Sequence, residues 1–376
     1  MKKIFLCAAV SSMILMGAVS ANAMESNPPE IEGLTFQSED ELSYADEFRI
    51  YHYSDDFSLI DVNESGQYLL VPEGGTLPDN LPEDMHVLYK PLDTIYLAAT
   101  SAMSLFDSCG ALDSIALSGT DKDGWLIPNA VKKMEDGSIV YAGKYSEPDY
   151  ELLLSGGCDL AIESTMILHS PKVQEMLENM GINVFIDRSS YETHPLGRTE
   201  WIKVYGELTG HQKDAADFFD KQTNILTDLK DHPDTDKTVV FFYLSTDGKA
   251  VVRAGSDYVP KMIELAGGKY VFDSLTNEES HKASVSLTME EFYATAIDAD
   301  YLIYNASIEE PITSTSELIE KNALFADFKA VKEGNVWCAD KYFYQATDII
   351  GEMIRDLNNM LTESNAEAMT FLHKVE

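Results

Sequence analysis

The chain has 376 residues, room for two domains of ordinary size. Hydrophobic residues make up 45% and aromatics 10%, which excludes global disorder. A formal charge of −37 repels nucleic acid and anionic membrane and sets both aside as partners.

The first segment, "MKKIFLCAAVSSMILMGAVSANAM", has a basic start (Lys2, Lys3), an apolar run from Ile4 to Val19 and an A-x-A site at Ala21-Asn22-Ala23. This pattern predicts a cleavable secretory signal peptide over residues 1–23. Its removal takes away two lysines and no acids. Cys7 lies too early for a lipobox cysteine. The expected product is a free, monomeric secreted protein, most simply periplasmic. Three cysteines remain, Cys109, Cys158 and Cys338, with no C-x-x-C spacing. A Cys109–Cys158 disulfide is compatible with an oxidising compartment.

Residues 24–84 read as an N-terminal extension packed on the first lobe. In it "EFRIYHYSDDFSLIDV" and "GQYLLVP" alternate apolar and polar residues and predict a short antiparallel hairpin. "PEGGTLPDNLPED" is a Pro/Gly loop. From residue 85 to 210 strands and helices alternate. "DTIYLAA", "DSIALSG", "CDLAIEST" and "INVFID" read as strands, and "SAMSLFDSCGAL", "PDYELLLSGG" and "SPKVQEMLENMG" as helices. "RTEWIKVYGELTG" is a helix closed by Gly210. Residues 211–232 form one long helix that Pro233 stops. The alternation resumes over 233–376, with strands at "KTVVFFYLS", "ADYLIYNAS" and "NVWCAD" and a last helix in "ATDIIGEMIRDLNNML". The predicted fold is α/β. Two Rossmann-like lobes with mainly parallel sheets are joined by a single long α-helix, with a ligand cleft between them. One helical crossing makes a stiff bridge, so domain closure should be small.

One local design occurs twice. Glu151 heads a short apolar helix that leads through Asp159 into the strand "LAI". Glu290 heads another that leads through Asp300 into "YLIY". A single such glutamate is ordinarily explained by the helix dipole. The repetition across two lobes asks for more.

These paired helices, the single bridging helix, "HPLGRTEWIKVYGELTG" before it and "DYVPKMIELAGGKYVF" after it carry a resemblance. Over about residues 85–373 the chain resembles the helix-bridged (class III) substrate-binding proteins of ABC importers. That family takes up iron–siderophore complexes, haem and cobalamin. The resemblance implies an extracytoplasmic binding protein, not an enzyme, that delivers an iron complex (siderophore or haem) to a membrane permease. It also implies that Glu151 and Glu290 dock to permease arginines, with Glu291 as the rival in the second lobe. No cofactor is implied beyond the ligand, a metal chelate. Two features depart from the family plan: no lipobox cysteine, and the added residues 24–84.

In open α/β sheets ligands sit beyond the carboxyl ends of the strands. In the first lobe that places Thr100 and Ser101, Trp125, and Ser164 and Thr165 at the cleft. The loop "RSSYETHPLGR" adds Arg188, Tyr191, His194 and Arg198. In the second lobe the same rule gives Arg253 and Tyr258, and then Tyr342 and Tyr344 in "KYFYQ". Arginine forks suit carboxylates and aromatic faces suit a conjugated ligand. No His pair points to a protein-only metal site. A secreted enzyme would need a nucleophile elbow or phosphate loop, and neither occurs. "GTDKDGW" lacks the later ligands of a calcium loop. Cobalamin, or another chelated metal such as molybdate, is the alternative ligand.

Overall fold

Among the described residues, side-chain alternation and apolar runs build three main sheets and a short ribbon around one long helix. The structure, a computed structural model, describes residues 27–230, 234–275, 283–364 and 369–376. The signal-peptide segment 1–23 and Pro233 lie outside the described residues.

The N-terminal sheet has five strands in sequence order: β1 Phe36–Glu39, β2 Phe48–Tyr53, β3 Ser58–Val62, β4 Gly66–Val71 and β5 Met85–Tyr89. The expected hairpin is therefore only its centre. The polar edge strand FQSE shows no alternation that would reveal it. The β4–β5 pairing is parallel and spans the Pro/Gly loop 72–84, so no local turn signal announces it. Both faces are covered. Phe48, Ile50, Ile60, Tyr68 and Leu70 join the main core. Tyr51, Tyr53, Leu59 and Leu69 pack with Ile31 and Phe57 on the other side. Phe48 meets Trp201 edge-on at 5.1 Å, and Tyr68 meets Phe185 at 4.7 Å, which seats the sheet on the first lobe.

That lobe is a parallel sheet of β6 Ile95–Leu97, β7 Ile115–Ser118, β8 Val140–Tyr141, β11 Leu160–Ser164 and β12 Asn183–Asp187, in the order β12-β11-β6-β7-β8. A small ribbon, β9 Gly143–Lys144 with β10 Glu147–Pro148, precedes the third helix. The helices are α1 Met103–Ser108, α2 Pro128–Glu135, α3 Tyr150–Ser155, α4 Pro171–Asn179, α5 Pro195–Glu200 and α6 Ile202–Thr209. Gly210 closes α6 in the left-handed region at φ +78.

The bridge is α7, Gln212–Leu229, 18 residues and thus about 27 Å long. Its buried positions Ala215, Phe219, Gln222 and Leu226 recur at helical spacing. Two glycines let its neighbours come close. A Cβ on Gly206 of α6 would sit 2.7 Å from the Ala215 Cβ. One on Gly351 would sit 2.6 Å from the Gln222 carbonyl oxygen. The bridge is gripped from both lobes.

In the second lobe β13 Thr238–Leu244, β17 Tyr301–Asn305 and β18 Val336–Ala339 are parallel neighbours. The near-continuous apolar run TVVFFYL fits a strand buried on both faces. β14 Ala250–Arg253, β16 Ser284–Leu287 and β19 Leu372–Lys374 run antiparallel, and β15 Lys269–Tyr270 pairs parallel with the start of β13. This sheet is mixed, whereas the first-lobe sheet is wholly parallel. α8 Tyr258–Leu265, α9 Met289–Ala296, α10 Thr315–Lys321, α11 Lys329–Glu333 and α12 Ile350–Thr362 complete the lobe. The three cysteines are free thiols. Cys109 belongs to the main core and Cys158 to a separate first-lobe cluster, so the disulfide does not form.

Candidate functional site

The second lobe supplies most of the cluster where the lobes meet. β14 ends at Arg253, opposite Ser284 on β16. Asp257 caps α8 by accepting from the Val259 N–H at 3.0 Å. The same carboxylate takes a two-pronged grip from Arg253, at 2.9 Å (Nε) and 2.7 Å (Nη2). Arg253 Nη1 also donates to Ser284 Oγ at 3.1 Å and to Tyr344 Oη at 3.2 Å. Asn305 Nδ2, at the carboxyl end of β17, donates to the same phenol oxygen at 3.0 Å.

The first lobe adds Arg198 from α5. Its guanidinium lies 4.3 Å from the centre of the Tyr258 ring, and that of Arg253 lies 6.0 Å away. One aromatic ring is thus flanked by cations from both lobes. Burial pushes the Tyr258 phenol up and the two arginines oppose that shift, so the ring stays neutral. The Arg198 Nε–H is enclosed and has no partner among the described residues. The charge of Arg253 is matched by Asp257, whereas Arg198 has no ion pair among the described residues.

Arg198, Arg253, Tyr258 and Tyr344 are brought together as the sequence suggested. The others serve the structure around them. Trp125 is 3% exposed, and its indole N–H donates to Ser118 Oγ at 3.1 Å and to the Thr120 carbonyl at 3.2 Å. Arg188 faces the N-terminal sheet, bonded to Glu47 at 2.7 Å and paired with Glu64 at 3.3 Å, with Tyr191 stacked on it at 4.4 Å. His194 stacks on Tyr44 at 4.3 Å and its Nδ1 accepts from the Leu196 N–H at 3.2 Å. Burial, then the nearby Lys261 charge, hold its pKa down at about 4, so the imidazole is neutral. Ser101 donates to Asp187 at 3.3 Å, beside the exposed Thr100. Ser164 caps the turn that Thr165 begins. Tyr342 stacks on Phe371, with planes 8° apart. Asn305 heads a loop that the strand-end rule already places at the cleft, whereas Asp257 was missed as an individual residue. The i,i+4 spacing of Asp257 from Arg253 was the available signal.

The segment after β18 makes further contacts between the lobes. Gln345 Nε2 donates to the Gly124 carbonyl at 2.8 Å, and its Oε1 accepts from the Leu126 N–H at 2.8 Å. Thr199 Oγ1 donates to the Thr347 carbonyl at 2.8 Å. Ser108 Oγ donates to Asp348 at 2.6 Å. Burial lifts the Asp348 carboxyl to about 6 while the Ser108 bond pulls it down.

Among the described residues no group of three or more His, Cys, Asp and Glu side chains could hold a metal ion. Two grooves, about 560 and 660 Å³, lie against the N-terminal sheet rather than at the arginine–tyrosine cluster. Three carboxylates hold that sheet. Glu200 accepts N–H bonds from Ser43, Tyr44 and Ala45, at 2.9, 2.8 and 2.9 Å. Glu192 accepts from Asp46 and Glu47 and from the Trp201 indole. Glu207 takes Ser58 at 2.5 Å and Lys90 at 2.8 Å.

Comparison with known proteins fits this geometry. An uncharacterised lipoprotein of Methanocaldococcus jannaschii is 24% identical over 85% of this chain and 81% of its own length. The periplasmic haem-binding protein HutB of Vibrio cholerae superposes with a TM-score of 0.57 at 16% identity, covering 72% of this chain and 97% of that one. The petrobactin-binding protein YclQ of Bacillus subtilis gives 0.57 at 17% identity, covering 72% and 92%. The family model for periplasmic binding proteins matches residues 108–342, well over half of the sequence. With two lobes, one helical bridge and a polar cluster at their meeting edge, the chain belongs to the periplasmic binding protein family.

Proposed function

We propose that the protein captures a metal chelate between its lobes and delivers it to the permease of an ABC importer. The observation that carries this is the Arg198–Tyr258–Arg253–Tyr344 cluster, built from both lobes where a parallel-sheet ligand site belongs. The flat phenol faces suit a large conjugated or catecholate ligand, and Arg198 suits an anionic group on it. An iron complex, siderophore or haem, is the first reading, and cobalamin or another chelated metal the second. The family is one of binding proteins, not enzymes.

Glu151 and Glu290 are both exposed, each in the first turn of its helix, and neither has a hydrogen bond or ion pair among the described residues. Glu291 is engaged in a capping box, its carboxylate accepting from the Thr288 N–H and Oγ at 2.9 Å. That occupation favours Glu290 as the docking charge of the second lobe. The family works outside the cytoplasm. We take the mature form to be free, and the mass of the N-terminal peptide after expression in the native host tests this against lipidation.

The test of the ligand reading is direct. Purified protein is titrated with haemin, a ferric catecholate siderophore and cobalamin, following absorption and tryptophan quenching. Submicromolar binding of at least one, lost or weakened in Arg198→Ala, supports the reading. Absence of binding for all three would overturn it.

A further inference from the structure

The contacts of segment Tyr344–Asp348 with the first lobe differ in burial. At one end the Gln345 amide makes two bonds to the backbone of the loop after β7, as a neighbouring strand would. Gly124 and Leu126 are both exposed there, so water competes for these bonds and release costs little. At the other end Thr199, Thr347 and Asp348 are buried. Breaking the Thr199–Thr347 bond would strand an enclosed hydroxyl.

We propose that this segment is a clasp over the cleft, with Gln345 as its catch and Thr347–Asp348 as its pivot, and that solute enters and leaves when Gln345 lets go. Its role in solute passage rests on reading the cleft as the ligand site. Three further features fit. Tyr344, one residue from the catch, accepts hydrogen bonds from Arg253 and Asn305, so occupancy of the cluster is felt beside Gln345. On the opposite side the indole of Trp125 anchors the loop that the catch grips. Finally, α7 is held tightly at Gly206 and Gly351, which disfavours a wide rotation of the lobes and leaves a local release as the cheaper opening.

Hydrogen exchange at the Leu126 amide reads the catch without any ligand. In Gln345→Ala that amide should exchange about tenfold faster, equivalent to about 1.4 kcal/mol. Val240, in the middle of β13, should be unaffected and reports that the fold is intact. Gln345→Glu keeps the acceptor for Leu126 but loses the donor to Gly124, so its effect should be smaller. Stopped-flow quenching with haemin and a ferric catecholate should then show association and dissociation both several-fold faster in Gln345→Ala, with the ratio changed less. Unchanged Leu126 exchange in both variants would overturn the clasp. So would faster exchange without any change in the rates of a bound probe. If neither probe nor cobalamin binds, the chelate reading fails, while exchange at Leu126 still decides the catch.

Discussion

Glu163, the fourth residue of β11, is fully buried, and neither carboxylate oxygen has a hydrogen-bond partner among the described residues. Burial raises its pKa from 4.5 to about 8. The folded protein therefore holds a proton there that the unfolded chain releases from about pH 4.5 upward. Stability from this group is fully present below pH 4.5, falls through the window to about pH 8, and is constant above it. At 1.36 kcal/mol per pH unit the full shift corresponds to about 5 kcal/mol, an upper bound because water penetration and relaxation reduce it. A domain is stable by only about 5–15 kcal/mol, so even half of that is large. Glu163→Gln keeps the shape and removes the titration. Urea unfolding followed by fluorescence of the buried Trp125, Trp201 and Trp337 should give nearly equal stabilities at pH 4.5. The variant should be the more stable by ~2–5 kcal/mol at pH 9. Glu192 and Asp348 are also raised, but they are common to both proteins and cancel in the difference. A wild-type-minus-variant difference that stays constant from pH 4.5 to 9 would refute a buried, unpartnered Glu163.

Arg198→Ala should weaken an anionic chelate at least ~10-fold, about 1.4 kcal/mol, measured by quenching titration. Arg253→Ala should also lower the melting temperature, because it leaves the Asp257 carboxylate buried without its partner. Glu151→Ala with Glu290→Ala should leave chelate affinity unchanged and strongly reduce uptake into cells or proteoliposomes. Glu291→Ala should cost ~1 kcal/mol through loss of the helix cap, seen as a lower melting temperature. Glu200→Ala should destabilise by about 3 kcal/mol and open residues 43–45 to limited proteolysis, since three backbone N–H groups lose their acceptor.

The lobes were legible in the sequence because their signals are local. Apolar runs such as TVVFFYL give buried strands, and the spacing of Ala215, Phe219 and Leu226 gives the bridge. α2 escaped notice although Pro128 marks its start, because only Ala130 of its eight residues is buried. The site was harder. Arg188 and Arg198 share one loop and look equivalent in sequence. Glu47, 141 residues before Arg188, takes the first for the N-terminal sheet, and the second turns to Tyr258 in the other lobe. His194 and Trp125 are drawn into the structure in the same way, by partners that no local pattern names.

The three carboxylates that hold the N-terminal sheet also impose an order in time. A chain is made, and exported, from its N-terminus. Ser43, Tyr44 and Ala45 therefore appear well before Glu200, which lies 155 to 157 residues further on. Ser58 likewise precedes Glu207 by 149 residues. Until β12, Glu192 and α5 arrive in turn, segment 43–47 lacks its fixed acceptors, and the inner face of the sheet lacks Phe185 and Trp201 to cover it. The earliest strands to emerge are thus secured only once the first lobe is nearly complete. During that interval their apolar face is exposed surface that a chaperone would cover.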